Sequence, residues 1–547
     1  MHDATGRVGS NIVRIFVAAS VLTLLNAVKP VHEDDPVYWI YAAEFGAHPA
    51  TPYGFDTGSP HLASANQFLV PPVAPYWMGL GMRLLGDDPI LIKCWLFPLI
   101  LLFAWSVDCL AGRSAPSLRT PVFWLSLFSP SIVPGINCML DLPALALGAA
   151  AAACALRSLD KGSLGWVLAA GAFAGLAVQT KYNGAMAGAA IVTGYVLRGR
   201  FGFAMIAGTL ILGIAVGWEI FVAQTQGESH FIVQFQQRQG KPLERAIHLV
   251  LPLISQAAGL APSVALLGMA ALGWKRRARW LFVMVPIGLV VLALVPSQTG
   301  LVSNAEGKAL LTVSNLVYGA LALLVWPPLI ATVWRTARRR SEGDRASGWF
   351  LLLWLVLELV GYYALTPFPA ARRLIGPLLV MTLLAGRLAH IEGLPRMAAW
   401  RAALVGAVLA FVIQTADLCD AFAARTAARQ LNRTGPAPAD GGTFWHLSWI
   451  GVSHYADREG LRPLRLNLEL PRVGDRIAVL DMPALLEVMR TQTLFRFELM
   501  QTVETGDRFP LRAAPGYYDG RTPLEHNPGV RIRVFVYRVI ELTPAIP

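Results

Sequence analysis

The chain has 547 residues, 55% of them hydrophobic and only 15% charged, with a mean hydropathy of +0.50. A soluble domain carries about 25% charge, so the composition excludes a water-soluble globule and specifies a polytopic α-helical membrane protein. The net charge of +12 does not imply nucleic acid, and no nucleic-acid partner is expected. Most Lys and Arg fall in short clusters between apolar segments, as they do where a membrane protein fixes its orientation.

In chain order, a basic start (Arg7, Arg14) leads into an apolar run that ends at Val28. No small-residue cleavage site precedes the acids that follow, so the run reads as a retained first helix and not as a signal peptide. Residues 29–88 then form a long loop rich in Pro, Gly and aromatics, opening KPVHEDDPVYWIYAAEF and closing LVPPVAPYW. Within it, 36–46 and 72–85 read as amphipathic helices lying at the membrane interface. Taking roughly 20 apolar residues per span, and fewer in a bundle, further spans fall near 89–111, 119–136, 142–157, 164–180, 184–197, 202–223, 248–273, 280–296, 308–334, 348–366, 374–390 and 398–416. With the first, near 11–28, that makes about thirteen.

Arg113 and Arg119 share one side of this arrangement with Arg157, Lys161, Arg198, Arg200 and the basic run Lys275 to Arg279. The same side takes the arginines at 335–345, 387, 396 and 401. The crowded side is the cytoplasmic one. The N-terminus is then cytoplasmic, the loop 29–88 outside, and the C-terminus outside too. After Thr415 charges multiply, and RIAVLDM and VRIRVFVYRVIEL alternate as strands do, with a helix from Pro483 on. The expected organisation is a transmembrane module over 1–416 and an extracytoplasmic α/β domain over 417–547, entered by a flexible RTGPAPADGG stretch.

Candidate functional residues collect on the outer side. Glu33, Asp34 and Asp35 sit directly after the first helix, with Tyr38, Trp39 and Tyr41 behind them. Carboxylates beside hydrocarbon are paired, solvated or functional, although three acids can equally mark a helix start. Asp141, in NCMLDLP, suits a helix N-cap as well as a site. Lys181, in QTKYNG, could snorkel to the interface, and Arg372 and Arg373 could anchor a helix in head groups. Gln234, Gln236, Gln237, Arg238 and Lys241 share the outer side, and Glu219 and Glu358 are weaker candidates inside spans. His32, His48 and His61 lie in the acid loop, where with the carboxylates they could take a divalent metal, though without HxxxH or HExxH spacing. The five cysteines (Cys94, Cys109, Cys138, Cys154, Cys419) show neither CxxC nor metal spacing.

The acid loop with its Pro-Pro-x-x-x-Tyr-Trp helix, MLDLP opening a span and GLAVQTKYNG between two spans together resemble the GT-C superfamily of membrane glycosyltransferases. The branch is family 39, which includes protein O-mannosyltransferases and the bacterial transferase that adds aminoarabinose to lipid A. The resemblance is best over roughly 30–200 and returns at PFPAARRLIGPLL and at FWHLSWIGVSHYADREGLRPL. It implies transfer of a sugar from a polyprenyl-phosphate donor to a lipid, glycan or protein acceptor at the outer face of the cytoplasmic membrane. By the same resemblance the base is an acid of the first outer loop, Asp34 or Asp35 with Glu33 beside them. Asp141 matches the second outer acid, Lys181 the lysine on the donor phosphate, and Arg372 the family arginine, while Arg373 replaces an aromatic. Tyr38 and His61 of the same loop join the substrate-binding set. One base and no evident covalent nucleophile imply direct displacement with inversion. The competing expectation is a transporter or flippase of a lipid-linked sugar. That would place polar groups at the midplane, preferably in repeated halves, and no internal repeat is visible.

Overall fold

The computed structural model describes the chain except residues 1, 58–63, 237–241, 297–298, 304–308, 339–344, 367, 435–441, 467–468, 519, 521 and 544–547. His61, Gln237, Arg238, Lys241 and most of the 433–442 entry stretch therefore lie outside the described residues.

A first helix, α1 (His2–Ala27), leads into the acid loop, where α2 (Asp35–Ala47) and α3 (Val73–Leu85) form as the two expected short helices. Proline in the first turn of α2 suits a helix start, where its missing N–H has no partner to lose. Gly86 ends α3 at φ +81°, a conformation cheap only for glycine. The two helices touch through Gly46 and Gly79, and a Cβ on Gly79 would sit 2.4 Å from the Ala42 carbonyl oxygen.

The span after the loop is α4 (Pro89–Trp95) continued by α5 (Phe97–Ser114). Asp88 caps it, accepting from the N–H of Ile90 at 2.9 Å and of Leu91 at 3.1 Å. Next comes α6 (Arg119–Leu127), shorter than the expected 119–136, and residues 128–140 run on as buried non-helical chain. The alanine-rich α7 (Asp141–Lys161) is buried along almost its whole length. Its small side chains let α8 (Leu164–Val178) and α9 (Ala185–Leu197) approach closely, and Gly162 in the left-handed conformation makes the turn into α8. By contrast, α10 (Phe201–Gln226) leaves Phe201, Met205, Leu212, Val216 and Ile220 exposed, an all-round apolar helix whose outer face lipid would cover.

Beyond α11 (His230–Gln236), the expected single span 248–273 is two helices, α12 (Pro242–Leu260) and α13 (Pro262–Ala271), bent by 73°. Pro262 has no N–H to continue the helical ladder and breaks the rod there. Then follow α14 (Lys275–Leu294), an antiparallel pair β1 (Gly300–Ser303) and β2 (Ala309–Thr312), α15 (Val313–Arg338), α16 (Arg345–Leu365), α17 (Ile375–Ile391) and α18 (Arg396–Thr434). Among the described residues, eight helices are long and apolar enough to cross a membrane, or nine if the bent pair counts as one span. Asn11–Ala27 and Leu164–Val178 are shorter apolar helices.

The C-terminal part has strands and helix where the alternation placed them. A five-stranded mixed sheet has the order β4 (Arg462–Pro463), β3 (Phe444–Leu447), β5 (Arg476–Leu480), β9 (Ile532–Leu542), β6 (Phe495–Thr505). β3 runs parallel to β4 and β5, and β9 is antiparallel to β5 and β6. The helices are α19 (Ile450–Arg458) and α20 (Pro483–Thr491), and a short pair β7 (Leu511–Arg512) with β8 (Glu525–His526) completes the domain. α18 runs unbroken through position 416, and its Ala423, Ala427 and Leu431 pack with Trp445, Val479 and Val534 in the core of this domain.

Candidate active site

The loop after α1 is fixed by buried charge. The Lys29 ammonium lies 2.9 Å from Asp417 Oδ2 and donates to the Pro134 carbonyl at 3.0 Å. His32 Nε2 meets the other oxygen of Asp417 at 2.9 Å, and the Tyr518 hydroxyl donates to Asp417 Oδ2 at 3.0 Å. Lys93 of α4 donates to the carbonyls of Lys29 and Pro30. Burial disfavours charge on His32, but Asp417 and Asp35 outweigh it and push the imidazole up to about 9. A charged His32 therefore belongs to the neutral-pH state.

On this platform the three acids part company. Asp35 is wholly buried and turned inward, accepting the Cys138 N–H at 3.0 Å and the His32 N–H at 3.4 Å. Burial pulls against its ionisation, yet His32 and Lys93 hold the carboxyl below its usual range. Asp34 occupies the N-cap position of α2 without capping it. Its carboxylate instead reaches Arg372, which donates at 2.5 Å. Glu33 has φ +49°, and no other non-glycine residue among those described has positive φ. Burial pushes its carboxyl up to about 8, with His32 lowering it and Asp34 raising it. A non-glycine residue held in that region marks a functional constraint more often than chance.

Arg372 is the hub. It sits in a 3-10 turn, Ala371–Leu374, before α17. One guanidinium nitrogen faces Asp34, while the other lies 4.0 Å from Asp141 Oδ2 and 2.7 Å from Met139 Sδ. The Tyr518 ring lies 5.8 Å from the guanidinium. Asp141 is the first residue of α7, but the N-cap is Leu140 and the carboxylate makes no cap bond. It accepts from Lys181 instead. Lys181 does not reach out to the interface: it is mostly buried against Asp141, and burial brings its ammonium down to about 8 although Asp141 opposes the fall. Arg373 stacks over Phe368 at 4.3 Å. The Nε atoms of Arg372 and Arg373 are buried with no partner among the described residues. Tyr38 lies beside Asp34, and burial and that carboxylate raise its hydroxyl above the ordinary phenol range.

Two cavities meet at Arg372. The smaller, about 50 Å³, lies between helices and is lined by Asp141, Lys181, Arg372, Arg373, Trp354 and Glu358. The larger, about 920 Å³, opens toward the C-terminal domain past Glu33, Asp34, Tyr518, Asp420 and Arg531. Of the weaker candidates, Glu358 lines the small cavity and accepts from Trp354 Nε1 at 2.9 Å. Glu219 is committed elsewhere, to Tyr182, Ser229 and the Phe231 N–H. Gln234 ties α11 to the carbonyls of Asn66 and Gln67. His48 is exposed beside Glu44. Among the described residues no three His, Cys, Asp or Glu side chains gather as a metal would need.

Sequence reading missed Lys29, Lys93, Asp417 and Tyr518, which build the platform. Charge in an apolar context could have flagged Lys93 inside LIKCW and Asp417 inside QTADLC; nothing in the sequence around Tyr518 marks it. The second motif stretch, FWHLSWIGVSHYADREGLRPL, forms β3 and α19 and bears directly on the acid loop. The Val31 N–H donates to the Tyr455 hydroxyl at 2.8 Å, and a Cβ on Gly451 would lie 2.8 Å from the Val31 carbonyl oxygen.

No curated protein matches the chain. Six solved chains match it. Two of them are ArnT from Cupriavidus metallidurans, in the apo state and bound to undecaprenyl phosphate. Each is 14% identical over 98% of both chains, with TM-scores of 0.40 and 0.42. The model of the dolichyl-phosphate-mannose-protein mannosyltransferase family matches residues 70–221, the segment that holds Asp141 and Lys181. Over that segment the chain is similar to this mannosyltransferase family, and two of the motifs that carry the resemblance, MLDLP and GLAVQTKYNG, lie inside it.

Proposed function

We propose that this chain is a multi-pass membrane glycosyltransferase that moves a sugar from a polyprenyl-phosphate donor to a lipid, glycan or protein acceptor. The observation that carries the reading is the Arg372 bridge, which joins an acid on one cavity to a lysine and a second acid on another. In this reading the donor phosphate lies by Lys181, Arg372 and Arg373, whose unpartnered buried Nε atoms suit an anion. The acceptor enters by the larger cavity, which has room for a sugar and more.

Asp34 is the base. The acceptor oxygen attacks the anomeric carbon as its proton passes to Asp34, and the carbon–oxygen bond to phosphate breaks with its electron pair left on phosphate. Lysine and arginine stabilise the charge that builds there. One displacement inverts the anomeric centre. Glu33, with its carboxyl near 8, is mainly protonated at neutral pH and donates a hydrogen bond to the acceptor. Asp35 holds the loop, and Asp141 positions Lys181 and Arg372. Tyr38 lines the acceptor side, and His61 is assigned to the same loop. The site faces the outside of the cytoplasmic membrane, with the N-terminus inside and residues 417–547 forming the outer domain over the module 1–416. The cluster lies at one end of the bundle, which favours a transferase over a midplane transporter.

The test is turnover of a labelled polyprenyl-phosphate sugar by purified wild type and Asp34→Asn. Wild type releases sugar to water or acceptor with inverted configuration, and the folded variant binds donor without turnover. Equal turnover by both, or a retained configuration, overturns the assignment. Binding without cleavage under every acceptor mixture favours a carrier.

A further inference from the structure

We propose that the end of the bundle away from Asp34 holds a phosphate-bearing anion, the head group of an acidic phospholipid, in a cavity of about 340 Å³ walled by Arg113, Arg119 and Arg157. The site is separate from the sugar-transfer chemistry. Asp141 opens α7 and Arg157 lies in its closing turns. At 1.5 Å per residue the two are roughly 24 Å apart along the axis.

Arg157 is held like a fixed fork. Its guanidinium lies between the indoles of Trp105 and Trp166, 4.9 and 5.1 Å from the ring centres, and one nitrogen meets Cys109 Sγ at 3.2 Å. Among the described residues no carboxylate pairs with it, and the one carboxylate that lines the cavity, Asp160, is bound to Arg113. The other cations are only partly neutralised. Arg119 and Arg14 share the one carboxylate of Asp108, and Arg113 pairs with Asp160 while donating to Ser347. Four arginines against two aspartates leave two positive charges, and a planar, rigid guanidinium matches phosphate oxygens two at a time.

The location of the pocket, between helices at the basic end of the bundle, points to a lipid as the source of the phosphate. Basic pockets between helices at a membrane surface take acidic head groups in this way. The basic loops expected on the cytoplasmic side lie at this end, so the lipid belongs to the leaflet opposite the transfer site.

The experiment uses the full chain purified in neutral detergent, with bound lipid read by native mass spectrometry and unfolding followed by tryptophan emission. Phosphatidylglycerol stays bound to wild type and raises its Tm, phosphatidylcholine does neither, and Arg157→Gln loses at least five-fold in retention. Arg157→Lys, which keeps charge but not the fork, lies between. Should Arg157→Gln fail to fold, Arg113→Gln on the rim reads the same loss. Unchanged retention in these variants overturns the site. Millimolar inorganic phosphate that stabilises wild type as well as phosphatidylglycerol does, with no lipid retained, overturns the lipid assignment in favour of a soluble anion.

Discussion

Asp34 stands at a helix start and turns its carboxylate away from the helix to Arg372, a departure from the default use of an acid at that position. Asp34→Asn should cut transfer roughly 10²- to 10⁴-fold, the usual worth of a positioned base, with donor binding retained in a filter assay. Lys181 is a cation only below about 8. Transfer should therefore fall as pH rises through 8, while Lys181→Arg holds its rate into more alkaline buffer; a pH–rate profile of the two checks it. His32, raised to about 9, stabilises the fold fully below its unfolded value near 6.5, and that contribution is lost as pH passes 9. Glu33, raised by burial to about 8, acts in the same direction. Thermal melts from pH 6 to 10 should thus drop more steeply for wild type than for His32→Gln. The acids, Lys181 and both arginines were legible as residues because each sits at the mouth of an apolar run. Their different settings were not, since only buried partners distant in sequence, Cys138 for Asp35 and Arg372 for Asp34, separate the two.

Elements decide how exactly that acid is aimed. α2 carries Asp34 at its start and is wedged against α3 at Gly79, where an added Cβ would strike the Ala42 carbonyl and the Gly46 backbone. Gly79→Val should cost about 1–3 kcal/mol by overpacking, seen as a lower Tm, and should depress transfer by tilting α2. Hydropathy placed both helices well, because their patterns are local. It failed at 119–136 and 248–273 for a definite reason. The stretch 128–140 carries Pro130, Pro134 and Gly135, which a helix does not run through, and it is buried by neighbours, including the Tyr517 hydroxyl donating to the Ser131 carbonyl at 2.5 Å. At 262 a proline breaks a continuous apolar run that a hydropathy window cannot divide.

At the scale of the molecule, the residues from Asp417 on supply buried partners to the candidate site. Asp417 from α18 neutralises Lys29 and His32, and Tyr518 both hydrogen-bonds Asp417 and faces Arg372. Breaking a buried pair from one side leaves stranded charge, so Asp417→Asn should cost about 3–5 kcal/mol. Limited proteolysis should then release the domain from the bundle where wild type resists. Sequence composition announced two regions by their change in charge but could not show this coupling, because its partners are far apart in the chain. Lys29 and Asp417 are 388 positions apart. At a synthesis rate of roughly 5–20 residues per second, the ribosome needs roughly 20–80 s to supply the second after the first. Until then Lys29 lacks the carboxylate that it meets in the folded chain, and His32 has only Asp35. Under the proposed function, transfer should begin only once Asp417 and Tyr518 have been made and packed against the loop, a delay that pulse-chase labelling with a donor analogue would time.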